Sequence, residues 1–347
     1  MAYATISKPS LHFNTKLYAG SDSSLSVTGV GFQPDFVWIK NRGLTTDHKL
    51  RDSVRGSNKG LTSVSNSGDS TNTYFTSFDS DGFTLEGNVS DFNKSSNNYV
   101  SFNWKGGTTS GLSGGNITPT AYSYNATAGF GVYAYTGNGS SDQTIPHGLG
   151  KKPRMVWYKR RNGSANWVVQ SNLLGNRVQL VLNDATGSNT DSRLGASDSW
   201  DATNFNVGTY GDMNGNGDTY VAYAFTNIKG YQDIGLYKGN GIGNGTFVYT
   251  GFKPAWVLIK KTNSANDEWN LFDSKRDPFN IVSKRLVANN NAADAAGTYL
   301  SFLSSGFKLE TNNNLGNGSG NTYLYMAVAE NPIVANVGND GTPGTAR

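Results

Sequence analysis

The chain has 347 residues, of which 16% are charged and 12% aromatic, with a net charge of +4 and no cysteine. So low and dispersed a charge argues against nucleic acid as a partner, and the lack of cysteine excludes disulfides and thiol chemistry. No apolar run is as long as a membrane span, so membrane insertion is not expected. Forty-three glycines beside many aromatic residues predict numerous short strands joined by turns.

One phrase occurs three times, as a turn, a proline and a run of β-formers that ends at lysine. It lies at 31–40, 148–159 and 251–260. A Tyr-x-Gly precedes each copy, and a phenylalanine and then a tyrosine, each opening a short β run, follow it. The spacing between these landmarks changes only where Gly, Asn and Ser dominate, which is typical of loops on a repeated β framework.

The repeat predicts an all-β fold of three tandem antiparallel β-sandwich modules, of jelly-roll or lectin-like type, with about 95 residues each. The anchor prolines are expected at the start of central, buried strands, where a missing N–H breaks no ladder bond. A flexible linker predicts a more independent first module, and a short joint predicts that the second and third modules pack together. The predicted boundaries are an arm 1–16, module 17–106, linker 107–129, module 130–230, module 231–332 and tail 333–347.

A Ser-containing motif recurs in two of the copies, as Asp52-Ser53-x-Arg55 and Asp273-Ser274-x-Arg276. The second module has Gln170-Ser171 there, and the third has no histidine to activate a serine. We therefore favour a polar turn, in which the aspartate or serine caps backbone donors and the arginine braces a neighbour.

A weak calcium candidate lies at Asp212, Asn214, Asn216 and Asp218, whose side chains alternate like the oxygen ligands of a calcium loop. Tyr223 stands where the closing glutamate belongs, so a hairpin turn is favoured. The three histidines share neither a repeat position nor a metal-ligand spacing, and no cofactor is expected.

Candidate binding residues are of two kinds. Most tryptophans occupy repeated positions, as core residues do, whereas Trp200 does not and is the tryptophan expected to be exposed for binding. A basic patch predicts either solvated strand ends or contact with a polyanion or acidic glycan. Its members are Lys151, Lys152, Arg154, Arg160 and Arg161.

The N-terminal arm carries the apolar residues Tyr3, Ile6, Leu11 and Phe13 but is too short to form a domain. We expect it to dock on a particle or to drive a homo-oligomer, such as a trimer, by adding an edge strand. The alternative is that it adds a strand to the first module. The tail 336–347 is too polar for the docking role and is either frayed or ordered by a partner.

Several phrases resemble a repeated module in virion proteins of marine tailed phages of the cyanophage and pelagiphage kind, over residues 12–332. They are Ser7–Tyr18, Gly31–Arg42, Phe78–Phe83, Tyr135–Gly139, Ile145–Gly150 and Tyr220–Tyr223. The resemblance implies a β-rich, externally displayed virion component without known catalysis, similar to parts of tail fibres and of head-decorating proteins. The long attachment domain and shaft of a full fibre are missing, which favours a head knob, decoration or tail accessory protein.

We therefore expect a non-enzymatic virion surface protein that is made in the host cytoplasm, since residues 1–8 lack the apolar core of a signal peptide. Its expected partners are other virion proteins of the capsid or tail, and a host-surface glycan. The alternative is a lectin-like carbohydrate-binding protein outside any virion. A glycan-degrading enzyme would need a cleft with paired carboxylates, and no acidic pair recurs.

Overall fold

The computed structural model describes residues 4–264 and 266–333, and most of them lie in antiparallel strands and the turns between them. The predicted fold class is confirmed at the level of an all-β chain with several antiparallel sheets. The helical residues described are one turn of α-helix, α1 (Gly211–Asn214), and the 3₁₀ helices Pro9–Leu11 and Ser197–Ser199. No helix among the described residues is long and apolar enough to span a membrane.

The strands fall into three groups, which we call the first, second and third modules. The first contains β1 (Phe13–Ala19), β2 (Leu25–Val27), β3 (Phe36–Asn41), β4 (Lys49–Asp52), β5 (Lys59–Thr62), β6 (Ser70–Thr71), β7 (Phe75–Asp79), β8 (Gly82–Leu85) and β9 (Asn98–Trp104). The second contains β10 (Ala121–Asn125), β11 (Phe130–Thr136), β12 (Gln143–Pro146), β13 (Met155–Arg160), β14 (Val168–Ser171), β15 (Val178–Val181), β16 (Asn189–Thr190), β17 (Asn204–Val207) and β18 (Thr219–Phe225). The third contains β19 (Gln232–Lys238), β20 (Phe247–Tyr249), β21 (Phe252–Lys261), β22 (Asn270–Asp273), β23 (Val282–Val287), β24 (Ala295–Leu303), β25 (Gly306–Leu309) and β26 (Thr322–Pro332).

The large sheets of the three modules share one strand order. They run β1-β9-β3-β4-β5-β6, β11-β18-β13-β14-β15-β16 and β19-β26-β21-β22-β23-β24, with β10 added beside β11. Smaller sheets, β2-β8-β7 and β12-β17, accompany the first two modules, and in the third β24 continues into β25 and β20. Equivalent residues can therefore be compared between modules by their pairing register.

The strands that follow the anchor prolines, β3, β13 and β21, are central and almost wholly buried, as predicted. Pro34 and Pro153 precede their strands. Pro254 does not, because β21 begins earlier, at Phe252. It lies instead at a register shift between β21 and β26, where a bulge tolerates a residue that cannot donate to the ladder.

Each large sheet is buried on both faces, which explains its continuous apolar strands. On one face, side chains such as Trp38, Trp157 and Trp256 belong to a single core shared by all three modules. On the other, alternate residues such as Val37 and Val156 pack beneath the module's own smaller strands. Each module is β-sandwich-like, but the inner face of its large sheet packs against the other two modules.

The first module is consequently not independent, and that prediction is wrong. Backbone hydrogen bonds close three seams around the shared core. They run from Asp69 N to Arg161 O (2.7 Å), from Ser188 N to Thr262 O (2.7 Å) and from Asp294 N to Arg42 O (2.9 Å). The donors are in the first, second and third modules, and the acceptors are in the second, third and first. The three modules therefore form a closed ring.

Indole groups repeat the same cyclic pattern. Trp167 Nε1 of the second module donates to Thr62 O of the first at 2.9 Å, and Trp269 Nε1 of the third donates to Val181 O of the second at 2.8 Å. The equivalent residue of the first module is His48, which is fully buried. Each indole N–H thus donates a hydrogen bond to a backbone carbonyl of the neighbouring module, while the apolar part of the side chain packs in the core.

Two of the seams also contain buried ion networks built on the Asp-Ser-x-Arg turns. Arg55 Nε contacts Asp52 at 2.6 Å, Arg55 Nη1 contacts Asp69 at 2.8 Å, and Asp69 pairs across the seam with Arg161 at 2.9 Å. Tyr223 of the second module donates to the Asp52 carboxylate at 2.6 Å. The turn caps a backbone donor and its arginine braces a neighbour, which is the role that the sequence favoured.

Of the remaining two seams, one repeats this network and the other has uncharged residues in its place. Asp273, Arg276, Asp294 and Arg42 repeat it between the third and first modules. Between the second and third modules, the equivalent positions hold Ser171, Leu174, Ser188 and Thr262, and all four charges are absent together. The four charged side chains therefore occur together or not at all, and their common role is the contact between two modules.

The segment predicted as a flexible linker, 107–129, is partly a strand. β10 pairs with β11, and Thr108 exchanges backbone hydrogen bonds with Tyr124 at 2.9 and 3.1 Å. Ile117 is buried in the core of the second module. The prediction from composition was misleading here. The segment is rich in glycine and serine, but a few of its other residues pack against the second module.

The lysine that ends each anchor strand is buried at a seam. Lys159 Nζ donates to Asn66 O of the first module at 3.0 Å, and Lys260 Nζ donates to Ala185 O of the second at 2.9 Å. Lys40 occupies the equivalent position in the first module, and all three side chains are fully buried. Burial lowers the pKa of each lysine to about 8, against the smaller opposing effect of nearby carboxylates.

We expect Asp52→Ala to destabilise the protein by about 3–5 kcal/mol, because it leaves the fully buried Arg55 guanidinium without its nearest carboxylate. Its matched control is Ser171→Ala at the equivalent position of the seam that lacks this network, which should cost about 1 kcal/mol. Urea denaturation followed by tryptophan fluorescence measures both. Similar losses for the two variants would show that the ion network has no special role.

The buried lysines give the stability a pH dependence of defined sign. Their folded-state pKa lies below the value in the unfolded chain, so the unfolded chain binds more protons between about pH 8 and pH 10.5. The free energy of unfolding therefore rises with pH in this window, until unfolded tyrosines ionise near about pH 10.

Denaturation midpoints measured from about pH 7.5 to 9.5 test this expectation. Lys159→Met should lose about a third of the increase seen in the wild type, since it removes one of three equivalent lysines. Lys8→Met, at an exposed lysine, should retain all of it. A wild-type midpoint that falls over this range would contradict the argument.

Candidate functional site

An open groove of about 560 Å³ lies where the second and third modules meet. Three stretches line it: the joint 227–233, the turn that includes Tyr249 and Gly251, and the end of β26. The exposed Lys151 forms part of its rim. A concave surface at a junction of structural units is a common place for ligands, and this groove combines apolar and polar walls.

The polar wall of the groove is held in place by the joint. Asn227 Nδ2 donates to Asp233 Oδ1 at 2.6 Å, while Ile234 N donates to Asn227 Oδ1 at 2.9 Å. The hydroxyl of Tyr325 donates to the other oxygen of Asp233 at 2.5 Å. Burial raises the pKa of Asp233, and the hydrogen bond from Tyr325 opposes that shift. The carboxyl group is thus a fixed acceptor.

The apolar wall continues onto β20, which pairs only with β25 and leaves its other edge open. Its central residue Val248 faces the core, whereas Phe247 and Tyr249 are 45% and 64% exposed. Two aromatic side chains on one short open edge form a platform that can bind a flat apolar surface by stacking.

The same positions in the other modules carry no aromatic residue. Val248, Val27 and Ile145 are equivalent, because each pairs with the landmark phenylalanine of its module. Phe247 and Tyr249 therefore correspond to Ser26 and Thr28 in the first module, and to Thr144 and Pro146 in the second. The exposed aromatic residues are a feature of the third module and are not required by the shared fold.

A loop of the same module exposes two further apolar side chains. Phe279 is 75% exposed and Ile281 is 48% exposed, in a β22–β23 connection that is longer than its counterparts in the other modules. The side chain of Asn280 holds the loop against β24 through hydrogen bonds with Phe302 N (2.9 Å) and Phe302 O (2.8 Å). We call Phe247, Tyr249, Phe279 and Ile281 the aromatic surface of the third module.

Trp200 does not belong to any exposed surface, and its prediction as an exposed binding residue is wrong. It follows the 3₁₀ helix Ser197–Ser199, is 2% exposed, and packs in the core of the second module with Leu149 and Phe205. The second module buries it in its own core, which no repeated pattern in the sequence indicated.

The five basic residues do not form one patch, because they stand at opposite ends of β13. Lys151, Lys152 and Arg154 precede the strand, and Lys152 Nζ donates to Asp198 O at 2.6 Å. At the far end, Arg160 pairs with Asp218 at 2.5 Å and Arg161 with Asp69 at 2.9 Å. Arg160 and Arg161 are therefore engaged within the protein, and Lys151 is the member that lines the groove.

The weak calcium candidate has a structural explanation. Asn214 is fully buried, and its side chain bonds to Asn138, Ser140 and Gly208. Asp218 pairs with Arg160. No grouping of three or more metal-ligating His, Asp or Glu side chains occurs in the described part of the chain. The geometry gives no support to a calcium ion bound by Asp212, Asn214, Asn216 and Asp218.

Asn214 belongs instead to a repeat that the sequence analysis missed. Asn93 and Asn317 are equally buried, and in all three modules the asparagine Oδ1 accepts the backbone N–H of the residue after Tyr-x-Gly, at 2.8–3.0 Å. The asparagine therefore locks the end of β1, β11 or β19 to the loop before the last strand of the module. Its signal was the fixed distance to the closing tyrosine, which was hidden among other asparagines.

The arm is largely part of the fold. Phe13 begins β1, and both Ile6 and Phe13 are buried in the shared core. The prediction that these two residues contact a particle or a sister subunit is therefore wrong, since a buried side chain is not available to a partner. Leu11 is 43% exposed and stays a candidate contact. Tyr3 and the tail 334–347 lie outside the described residues.

The fold and the surface together define an all-β, β-sandwich-like protein with a groove and an exposed aromatic surface. A family model described as a domain of unknown function (DUF7483) matches residues 8–332, and the chain belongs to that family. No curated protein matches the chain. The family match covers all three modules, in agreement with their closure into one ring.

The burial of the arm can be tested with two apolar residues close in sequence. Ile6→Ala should destabilise the protein by about 2–4 kcal/mol, because it opens a cavity in the shared core. Leu11→Ala, at an exposed position, should change the stability by less than about 0.5 kcal/mol. Thermal denaturation measures both, and an equally small effect of Ile6→Ala would place the arm outside the core.

Proposed function

We propose that the chain is a virion surface structural protein that acts by binding and not by catalysis. In this proposal, three tandem jelly-roll- or lectin-like sandwiches form a head knob, a decoration or a tail-fibre-like accessory. It is made in the host cytoplasm and held by other capsid or tail proteins. The resemblance of its repeated phrases to virion proteins of marine tailed phages supports the location. Assembly into a homo-oligomer, such as a trimer, stays part of the proposal.

The observation that carries a binding role is the aromatic surface of the third module. Its residues Phe247 and Tyr249 stand where the other modules have Ser26 and Thr28, and Thr144 and Pro146, so the shared fold does not require aromatic residues on this edge. Soluble proteins rarely expose several large apolar side chains together without a partner. The groove beside them, with Asp233 and Lys151, adds polar groups that give direction to such a contact.

The carboxylates and serine hydroxyls that could take part in catalysis are engaged in contacts within and between the modules. This supports a role without catalysis. The Asp52 carboxylate is shared by Arg55 and Tyr223, and Ser53 Oγ donates to Asp35 at 2.7 Å. No histidine lies in the third module to activate Ser274. These groups brace seams and turns, so the variable surfaces outside the ring are left to meet a partner.

The partner of the third module is proposed to be a host-surface glycan. Aromatic rings present flat apolar faces that stack on the C–H faces of pyranose rings, and the carboxylate of Asp233 accepts from hydroxyls. The same observation supports the alternative function, a lectin-like protein outside any virion. Detection of the protein on purified phage particles, by immunogold labelling, separates the two.

A variant with the residues of the first module tests the binding role. Phe247→Ser with Tyr249→Thr should leave the free energy of unfolding within about 1 kcal/mol of the wild type, because both side chains are exposed. It should reduce binding of the labelled protein to host cells or to a glycan array at least tenfold, since buried aromatic anchors dominate such contacts.

The control is Leu44→Ser, which removes an exposed apolar residue from the first module. It should bind like the wild type if the third module carries the contact. Unchanged binding of the double variant would refute the role of the aromatic surface, whatever the location of the protein.

A further inference from the structure

Arg51 is a buried cation with too few partners. It lies in β4, is 1% exposed, and donates from Nη2 to Asn72 Oδ1 at 2.7 Å. Its Nε and Nη1 have no hydrogen-bond partner, and no carboxylate of residues 4–264 and 266–333 lies within salt-bridge distance. Arg55 nearby shows the usual solution, with a carboxylate on two of its nitrogens. A buried charge without a counterion is costly.

The fold does not require this charge. Arg51 pairs with Val37 in register, and the equivalent residues are Gln170 in the second module and Phe272 in the third. Its neighbour Gly60 makes room for it, because a Cβ there would lie 2.6 Å from Nη1. The other modules carry larger residues at the position of Gly60, so the cation and the space for it occur together in the first module alone.

The guanidinium faces a polar cavity of about 220 Å³. Ser65, Ser67, Asn72 and the ring of Tyr74, which is 39% exposed, line its wall. Asp47 and Asp91 also line it, and they share one cation, Lys49, which lies 3.6 and 3.0 Å from them. Neither carboxylate lies within salt-bridge distance of Arg51, whose Nε and Nη1 have no hydrogen-bond partner in the described part of the chain.

Two further features hold the guanidinium in this place. Arg51 Cζ lies 5.2 Å from the centre of the Phe92 ring, a distance at which a cation is attracted to the ring face. Desolvation, followed by the charge of Arg55, lowers the pKa of Arg51 to about 10, so the group stays protonated at neutral pH. It is thus a fixed, desolvated cation, which binds an anion more strongly than a hydrated one does.

We propose that this cavity binds a sugar acid, with the carboxylate of the sugar on the Arg51 guanidinium. A carboxylate matches the planar fork of an arginine and supplies the acceptors that it lacks. The hydroxyl and amide groups of Ser65, Ser67 and Asn72 suit sugar hydroxyls, and the exposed Tyr74 ring suits the apolar face of a pyranose. Nη1 is shielded, so the ligand enters with an outward shift of the β5–β6 hairpin, whose β6 pairs only with β5.

The size and chemistry of the cavity favour one sugar ring over other anions. At about 220 Å³ it is smaller than the roughly 300–1,000 Å³ of sites for drug-sized ligands. An inorganic anion would leave the aromatic wall unused, and an acidic peptide would leave the ring of hydroxyl groups without matching partners. This inference does not depend on the proposed virion location or on the aromatic surface of the third module.

The test is calorimetric titration of the whole protein with sodium D-glucuronate, beside D-glucose, sodium acetate and sodium sulfate. We expect saturable binding of glucuronate, and binding at least tenfold weaker for each of the other three. Arg51→Gln, which installs the residue of the second module, should abolish glucuronate binding. Its unfolding midpoint without ligand should be equal to or above that of the wild type, because an unpaired buried charge is removed.

Two more variants keep the result interpretable. Tyr74→Ser, at an exposed residue, should fold normally and weaken glucuronate binding several-fold, which tests the sugar contact even if Arg51→Gln does not fold. Arg285→Gln in the third module should bind glucuronate like the wild type.

Four outcomes would overturn the proposal. The first is no saturable glucuronate binding, and the second is glucuronate binding that survives Arg51→Gln. The third is equal binding of acetate, which would indicate an acidic side chain of a peptide as the ligand. The fourth is preferred binding of sulfate, which would indicate an inorganic anion. The double variant at Phe247 and Tyr249 should leave glucuronate binding intact, so failure of this site and failure of the proposed function are told apart.

Discussion

The structure depends on one constraint, which is that each large sheet has two apolar faces and only one set of small strands to cover them. The outer face is covered locally, by strands such as β2 and β8 in the first module. The inner face, with Trp38, Trp157 and Trp256, is dry only when all three modules surround it. Burial of this shared face drives ring closure, and the seams then have to satisfy the polar groups that closure removes from water.

The seams meet that requirement with different chemistry on one backbone pattern. The N–H groups of Asp69, Ser188 and Asp294 find carbonyls in the next module in every case. Two seams add the same buried ion network, whereas its four positions are uncharged at the seam of Ser188 and Thr262. Buried ion pairs often contribute little net stability compared with apolar residues, so the networks are better explained as fixing the register of neighbouring modules. That seam shows that closure itself does not need this particular network.

The sequence was sufficient for features that recur in one-dimensional order. Central buried strands follow each anchor, because a run of β-formers between turn residues is specific when it occurs three times. It was insufficient where burial depends on another module. Ile6 and Trp200 have no counterpart in the other modules that would mark them as core residues. Ile6 is nevertheless buried in the shared core and Trp200 in the core of the second module. The prediction that the first module is independent was wrong for the same reason. The composition of a linker does not indicate which strand faces pack against another module.

The candidate sites were missed because they are departures from the repeat, not instances of it. Phe247 and Tyr249 stand at outward positions where the other modules have no aromatic residue, and Arg51 stands where they have Gln170 and Phe272. Only the pairing register makes these comparisons possible, because loop lengths shift the alignment. Each departure breaks a local rule, with apolar groups outside and a charge inside, and such inconsistencies are expected where function outweighs stability.

Linking the three modules in one chain explains how such departures are tolerated. A ring of three identical subunits would carry any change three times, so a costly charge such as that of Arg51 would be buried at three places. In one covalent chain the shared core keeps its symmetry while each outer surface changes separately. The ring can then hold an aromatic surface on the third module and a cationic cavity on the first at a fixed separation. A rigid spacing between two chemically different contacts strengthens binding to a surface that offers both, since the second contact forms without further loss of freedom.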